Sequence, residues 1–216
     1  MRADTKTQIL DAAEKLFARQ GFEATSLRAI IADAGVNLAA IHYHFRSKEG
    51  LVRAVLRRRL APINEERIRQ LEACQRKFRG RGPQVEAILE AFLAPPLYLA
   101  LKHSVQGHLL MQLMGRILLQ SGELLEKAAG DQFLCIATRF LQAFQQALPY
   151  LSKQEIAWRL NFTIGATAKA LFGGIPMKIL SEATHENLAE RDIRRILRKL
   201  IAYTAAGMKA PAVRGN

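Results

Sequence analysis

His42, Tyr43, His44 and Lys48 crowd into the stretch 35-GVNLAAIHYHFRSKEGL-51. Two kinds of chemistry could use them. Paired imidazoles suit a metal ion; interleaved basic and aromatic side chains suit a nucleic acid. On a helix, residues two apart point about 200° apart, so His42 and His44 cannot share one ion. His103 and His108, five apart, are little better. We expect no metal and no cofactor. No GxSxG, Walker loop, Ser-His-Asp order or paired carboxylates stand out elsewhere, so we expect no enzyme.

The elements that must position these residues read as helices. Ile9, Ala13, Leu16 and Phe17 share one face of a helix over about 5–19, with Gly21 as its stop. Thr25 or Ser26 can cap a short second helix that turns Leu27, Ile30 and Ile31 inward. Ala34-Gly35 ends it, and Asn37 caps a third helix that turns Ile41 and Phe45 inward. Ser47 caps a long fourth helix to about 78, with Pro62 inside it as a source of a kink. Two short helices joined by a tight Gly turn form the helix-turn-helix pattern, here turning at 34-AGVN-37. The third helix would then show Leu38, Ala39, Ala40, His42, Tyr43 and His44 to the major groove of DNA.

Residues 9–51, ILDAAEKLFARQGFEATSLRAIIADAGVNLAAIHYHFRSKEGL, resemble the DNA-binding domain of the TetR family of bacterial one-component regulators. The matching pattern is a helix, F-G-T, a short helix, A-G-V-S, a second short helix, YxxF and xSKexL. The resemblance implies contacts position by position. Thr25 and Arg28, at the start of the second helix, would meet phosphate. Asn37, Leu38 and Ala40 would open the recognition helix, the last two offering apolar contact to a thymine methyl. His42 would hydrogen-bond a base or a phosphate. Tyr43, His44 and Lys48 fall at family positions that meet backbone phosphate.

NLAAIHYHF and 156-IAWRLNFTIGA-166 are also similar to a subset of that family that includes fatty-acid- and acyl-CoA-responsive members. The chain departs from the subset at His42, usually Asn, at Arg46, usually Gly, and at Asn161, usually His. The first departure bears on which DNA sequence is read, the last on any shared ligand chemistry.

The segment 79-RGRGP-83 is the clearest break in the chain. Beyond it the pattern predicts helices over about 84–101 (interrupted at Pro95-Pro96), 104–121, 123–147, 152–174 and 188–207, about nine in all. The resemblance implies that the last two pair with a second copy. Gly165 and Ala166 would permit close approach, with Trp158, Phe162 and Phe172 as aromatic contacts. Ile193, Ile196, Leu197 and Leu200 would line the last helix. The middle helices would hold a small apolar effector: Phe92, Tyr98, Met111, Met114, Phe133 and Phe140 as walls, with Arg116, Arg139 and Asn161 as polar anchors for an acidic head group where it has one.

The totals agree with such a protein. Lys plus Arg number 32 against 19 Asp plus Glu, and residues 1–82 carry a net +8 of the total +13. A basic N-terminal third suits a polyanion. Cys74 and Cys135 have no metal or redox spacing and read as reduced thiols. No run approaches a membrane span, and MRADTKTQIL carries no apolar signal segment. The expectation is an all-α protein of the cytoplasm: a helix-turn-helix domain over 1–50 and a helical sensing and dimerisation domain over 51–210, joined by the helix over about 47–78. Its partners would be a double-stranded operator, a small-molecule effector and a second copy, with no membrane. It would most simply repress; activation by the same fold and non-specific DNA coating are the alternatives.

Overall fold

In a computed structural model, residues 4–78, 82–100, 105–119, 123–172, 175–185 and 192–212 are described. For 99, 100, 105–108, 111, 118, 119, 131, 171, 172 and 175–178 only the backbone is described. The described residues form ten helices and no strand. They are α1 (Thr5–Gln20), α2 (Leu27–Ala34), α3 (Leu38–Phe45), α4 (Lys48–Lys77), α5 (Val85–Ala100), α6 (Val105–Leu119), α7 (Glu123–Ala147), α8 (Lys153–Phe172), α9 (Ile175–Thr184) and α10 (Ile193–Lys209). None of them is long and apolar enough to cross a membrane. Cys74 and Cys135 are both free thiols.

Two compact units divide the chain: Met1–Ile63 with Lys102–Cys135, and Asn64–Leu101 with Ile136–Asn216. The first reaches past residue 50, because the first half of α4 is committed to it. Leu51, Val52, Val55 and Leu56 of α4 are fully buried. The Glu14 carboxylate of α1, with no exposed surface, takes hydrogen bonds from Arg58 and from Arg59 Nε (2.5 Å). Ile9, Phe17, Ile30 and Ile41 complete that core.

The second unit buries α5, the end of α7, α8 and α10 around Ile88, Leu89, Phe140, Phe144 and Ile156. Here two expectations fail. Pro95-Pro96 does not interrupt α5, which runs on to Ala100. Proline cannot donate to the carbonyl four residues back, so Pro96 cannot serve Phe92. Arg67 of α4 does so instead, its Nε donating to the Phe92 carbonyl at 2.9 Å. Its guanidinium also lies over the Phe92 ring, 4.5 Å from the centroid. The second is a helix the pattern does not mark: α9 begins at Ile175, with Pro176 in its first turn. An N–H there has no helical partner in any case, so proline starts a helix as readily as it ends one.

Candidate nucleic-acid interface

The turn between α2 and α3 is built as its residue types require. Ser26 Oγ caps α2 by accepting from Ala29 N, and Asn37 Oδ1 caps α3 by accepting from Ala40 N (2.9 Å). Between them Gly35 takes a left-handed conformation at φ 65°, with its N–H on the Ile31 carbonyl. Ile41 and Phe45 point into the core, and the opposite face of α3 is left to solvent. Leu38 is 49% exposed and Tyr43 84%. His42 is exposed, Ala40 and His44 half-buried. An exposed tyrosine and an exposed leucine on one short, capped helix form a surface shaped for contact.

The flanking residues are placed less simply. Arg28 is exposed on α2. Thr25 is not available as expected: it is fully buried, and its hydroxyl donates to the Gly21 carbonyl at 2.7 Å. That bond ties down the loop after α1, so the side chain has no surface left for a phosphate. Lys48 Nζ donates to the Glu23 carbonyl at 2.8 Å, which holds its ammonium beside the same loop. Arg46 has an unusual role. Its φ is 66° and ψ −42°, and Ser47 N–H donates across it to the Phe45 carbonyl at 2.8 Å. This is a γ-turn with positive φ, a strained form that a side chain makes worse. A Cβ on Gly50 would stand 2.1 Å from the Phe45 carbonyl oxygen, so any other residue there must displace the backbone of the α3–α4 corner.

The residues named for an effector site have other surroundings. Phe92 and Phe140 do meet, edge to face at 5.0 Å, inside the core of the second unit. Met114 is buried and Phe133 exposed in the first unit; Tyr98 is exposed in the second. The three polar anchors are spent elsewhere or face water. Arg116 Nη2 donates to the Arg19 carbonyl at 2.8 Å, at the C-terminal end of α1 where helix carbonyls carry partial negative charge. Arg139 is exposed and reaches Glu72 at 3.3 Å; Asn161 is exposed on α8. Met111 lies outside the described side chains. An open groove of about 550 Å³ is lined by Glu72, Gln75, Arg76, Phe78, Gly82, Pro83 and Gln146, none of them named in advance.

On α8, Trp158 and Phe162 are 54% and 62% exposed, their rings 5.8 Å apart, and Gly165 follows on the same face with open space at its Cα. Ala166, Ile193 and Ile196 are half-buried. Leu197 and Leu200 are corrections: they are buried in the unit's own core, so α10 turns its leucines inward. Tyr203, 73% exposed on α10, is the outward aromatic that the apolar stripe hid. Phe172 lies outside the described side chains.

Residues 9–55 match the family described as bacterial regulatory proteins, tetR family, and residues 90–207 match the tetracyclin repressor-like C-terminal domain. The chain belongs to the TetR family of DNA-binding transcriptional regulators. Among curated TetR-family relatives, the regulator UidR of Escherichia coli (strain K12) is 36% identical over 52 residues, 24% of this chain and 26% of its own. TtgR of Pseudomonas putida is 43% identical over 53 residues, 24% and 25% of the two chains. The repressor KstR2 of Rhodococcus jostii (strain RHA1) is 39% identical over 56 residues, 26% and 28%. The match thus spans about a quarter of the length of these relatives. The fold extends further. A tetR-family regulatory protein from Rhodococcus RHA1 superposes with a TM-score of 0.55 over 98% of this chain and 100% of its own, at 15% identity. A transcriptional regulator from Aquifex aeolicus VF5 gives 0.57 over 93% and 97%, at 19% identity.

Three features of this TetR-family head escaped the sequence reading. Glu14 sits among apolar residues on the buried face of α1, where a helical-face argument assigns a charge to solvent. The strain at Arg46 and the crowding at Gly50 depend on how tightly two helices meet. The available signal was Arg46 itself, standing where the similar subset usually has glycine.

Proposed function

We propose that the chain is a sequence-specific regulator that binds a palindromic double-stranded operator as a homodimer and represses from it. The exposed outer face of α3 carries this reading. It is held by two side-chain caps and a left-handed glycine, beside a surplus of basic residues in the first 82 positions. Arg28, Asn37, Leu38, Ala40, His42, Tyr43, His44 and Lys48 are the contacts we assign. Leu38 and His42 address bases, and Lys48 addresses phosphate after letting go of Glu23. The exposed Trp158–Phe162 face of α8, with Gly165, Ala166 and Tyr203, supports a two-fold contact with a second copy.

A small apolar effector bound in the helical C-terminal half would favour a dimer whose recognition helices no longer match the groove spacing. Such coupling is commonly ~1–3 kcal/mol. Pro62 lies inside α4, where its missing N–H supports a bend of that helix.

Selection of bound sites from randomised duplex DNA tests the proposal. The expected product is a palindrome whose half-sites lie about 34–36 Å, or a multiple of that, apart. Lys48→Ala should weaken every sequence about equally, whereas Leu38→Ala should change which sites win. Binding without any enriched motif, lost steeply with salt, would leave only a DNA-coating protein.

A further inference from the structure

The α3–α4 corner joins His42 to Arg46 twice. Arg46 N–H donates to the His42 carbonyl at 3.1 Å, closing the last turn of α3. The His42 imidazole returns the contact, its Nδ1 lying 3.0 Å from the Arg46 carbonyl oxygen. A carbonyl oxygen can only accept, so Nδ1 must carry the proton. In the neutral ring the other nitrogen, Nε2, is then a bare acceptor. The Arg46 carbonyl is in turn aimed by the γ-turn, the backbone conformation that costs strain at this corner. Strain of this kind persists where the surrounding structure over-determines it, and it clusters at active sites, ligand clamps and switch regions.

From this geometry we infer that His42 is a specificity-determining residue that reads an exocyclic amino group in the major groove. The inference rests on the DNA-binding reading above and deepens it. In the major groove the amino donors are adenine N6 and cytosine N4; guanine and thymine present acceptors there. Among the outward side chains of α3, Leu38, Ala39 and Ala40 have no hydrogen-bonding atom. Asn37 has spent its oxygen on the cap. Tyr43 and His44 also carry hydrogen-bonding atoms, but their side chains make ring contacts only, whereas a hydrogen bond fixes the direction of the His42 imidazole. An asparagine at this position would carry both a donor and an acceptor, so the tethered imidazole selects on the acceptor alone.

The test pairs a base change with a side-chain change. The operator is first obtained by site selection with the wild-type chain. At each half-site adenine or cytosine, the amino group is then removed by substituting purine or 2-pyrimidinone. Affinities are measured for wild type and for His42→Ala, with circular dichroism to verify that the exposed substitution leaves the fold intact. At one position per half-site the wild type should lose about tenfold on removal of the amino group. His42→Ala should lose less than twofold on the same change. An equal loss in both proteins at every position, or no loss in the wild type anywhere, overturns the assignment while leaving the regulator reading in place. A wild type that selects no motif overturns both.

Discussion

The passage of α5 through Pro95-Pro96 makes a demand on Arg67 that can be measured. The Phe92 carbonyl cannot receive an N–H from residue 96, and a buried carbonyl left without a donor costs about 1–3 kcal/mol. Arg67 Nε supplies the donor at 2.9 Å. It does so at its own expense, because burial pushes the Arg67 pKa down to about 10. At 1.36 kcal/mol per pKa unit, that is a penalty of about 3 kcal/mol on the charged form. Arg67→Met therefore relieves a cost of the same size as the one it creates, and the single variant is uninformative in sign. The coupling is not. In Pro96→Ala, residue 96 regains an N–H for the Phe92 carbonyl, and Arg67→Met then leaves that carbonyl paired; the other Arg67 bond, from Nη1 to Asn64 Oδ1 at 3.2 Å, is lost in both backgrounds and cancels in the cycle. The double-mutant cycle should show Arg67→Met to be more damaging in the wild-type chain than in the Pro96→Ala background, by about 2 kcal/mol. Urea unfolding followed by fluorescence suits the cycle, because the only tryptophan of the chain, Trp158, lies in the same compact unit. Pro95→Ala serves as the comparison, since its missing N–H concerns Ala91. A coupling with Pro96 below about 0.5 kcal/mol, the scatter expected of independent sites, would refute the compensation.

Other substitutions probe the remaining joints. Glu14→Gln removes a buried charge that two arginines share. It should destabilise the chain by about 3 kcal/mol or more in denaturant melts, and a cost under about 1 kcal/mol would mean the arginines find water at once. Gly50→Ala must push the Phe45 carbonyl aside. It should cost about 2 kcal/mol of stability and weaken operator binding, and an unchanged melting temperature with full affinity would show the corner to be soft. Lys209 donates to Glu86 at 2.5 Å, and that bond, ahead of the other influences, holds the Glu86 carboxyl below the ordinary carboxylate range. A depressed acid contributes stability above its unfolded pKa of ~4.3 and loses it as pH falls through its lower folded value. Lys209→Met should accordingly flatten the acid limb of a stability–pH profile, and an unchanged limb would assign that loss to other carboxylates.

Much of the DNA-reading head was legible because its signals are local. Gly35, Ser26 and Asn37 act within four residues of themselves, so residue type alone announces the turn and both caps. For Leu197 and Leu200 an apolar stripe says that a face is covered, not by what; α10 covers it with its own unit's core. Pro95-Pro96 shows a related limit. A proline's cost is fixed locally, but the donor that offsets it comes from Arg67, on another helix. The two departures at 42 and 46 show the same limit from the other side. Read along the chain, a histidine for asparagine and an arginine for glycine are separate changes, one near a base and one in a turn. In three dimensions they share two hydrogen bonds, and the strained carbonyl of one sets the tautomer of the other. A substitution at Arg46 should therefore be judged by what it does to the orientation of His42 as well as by the backbone strain it relieves.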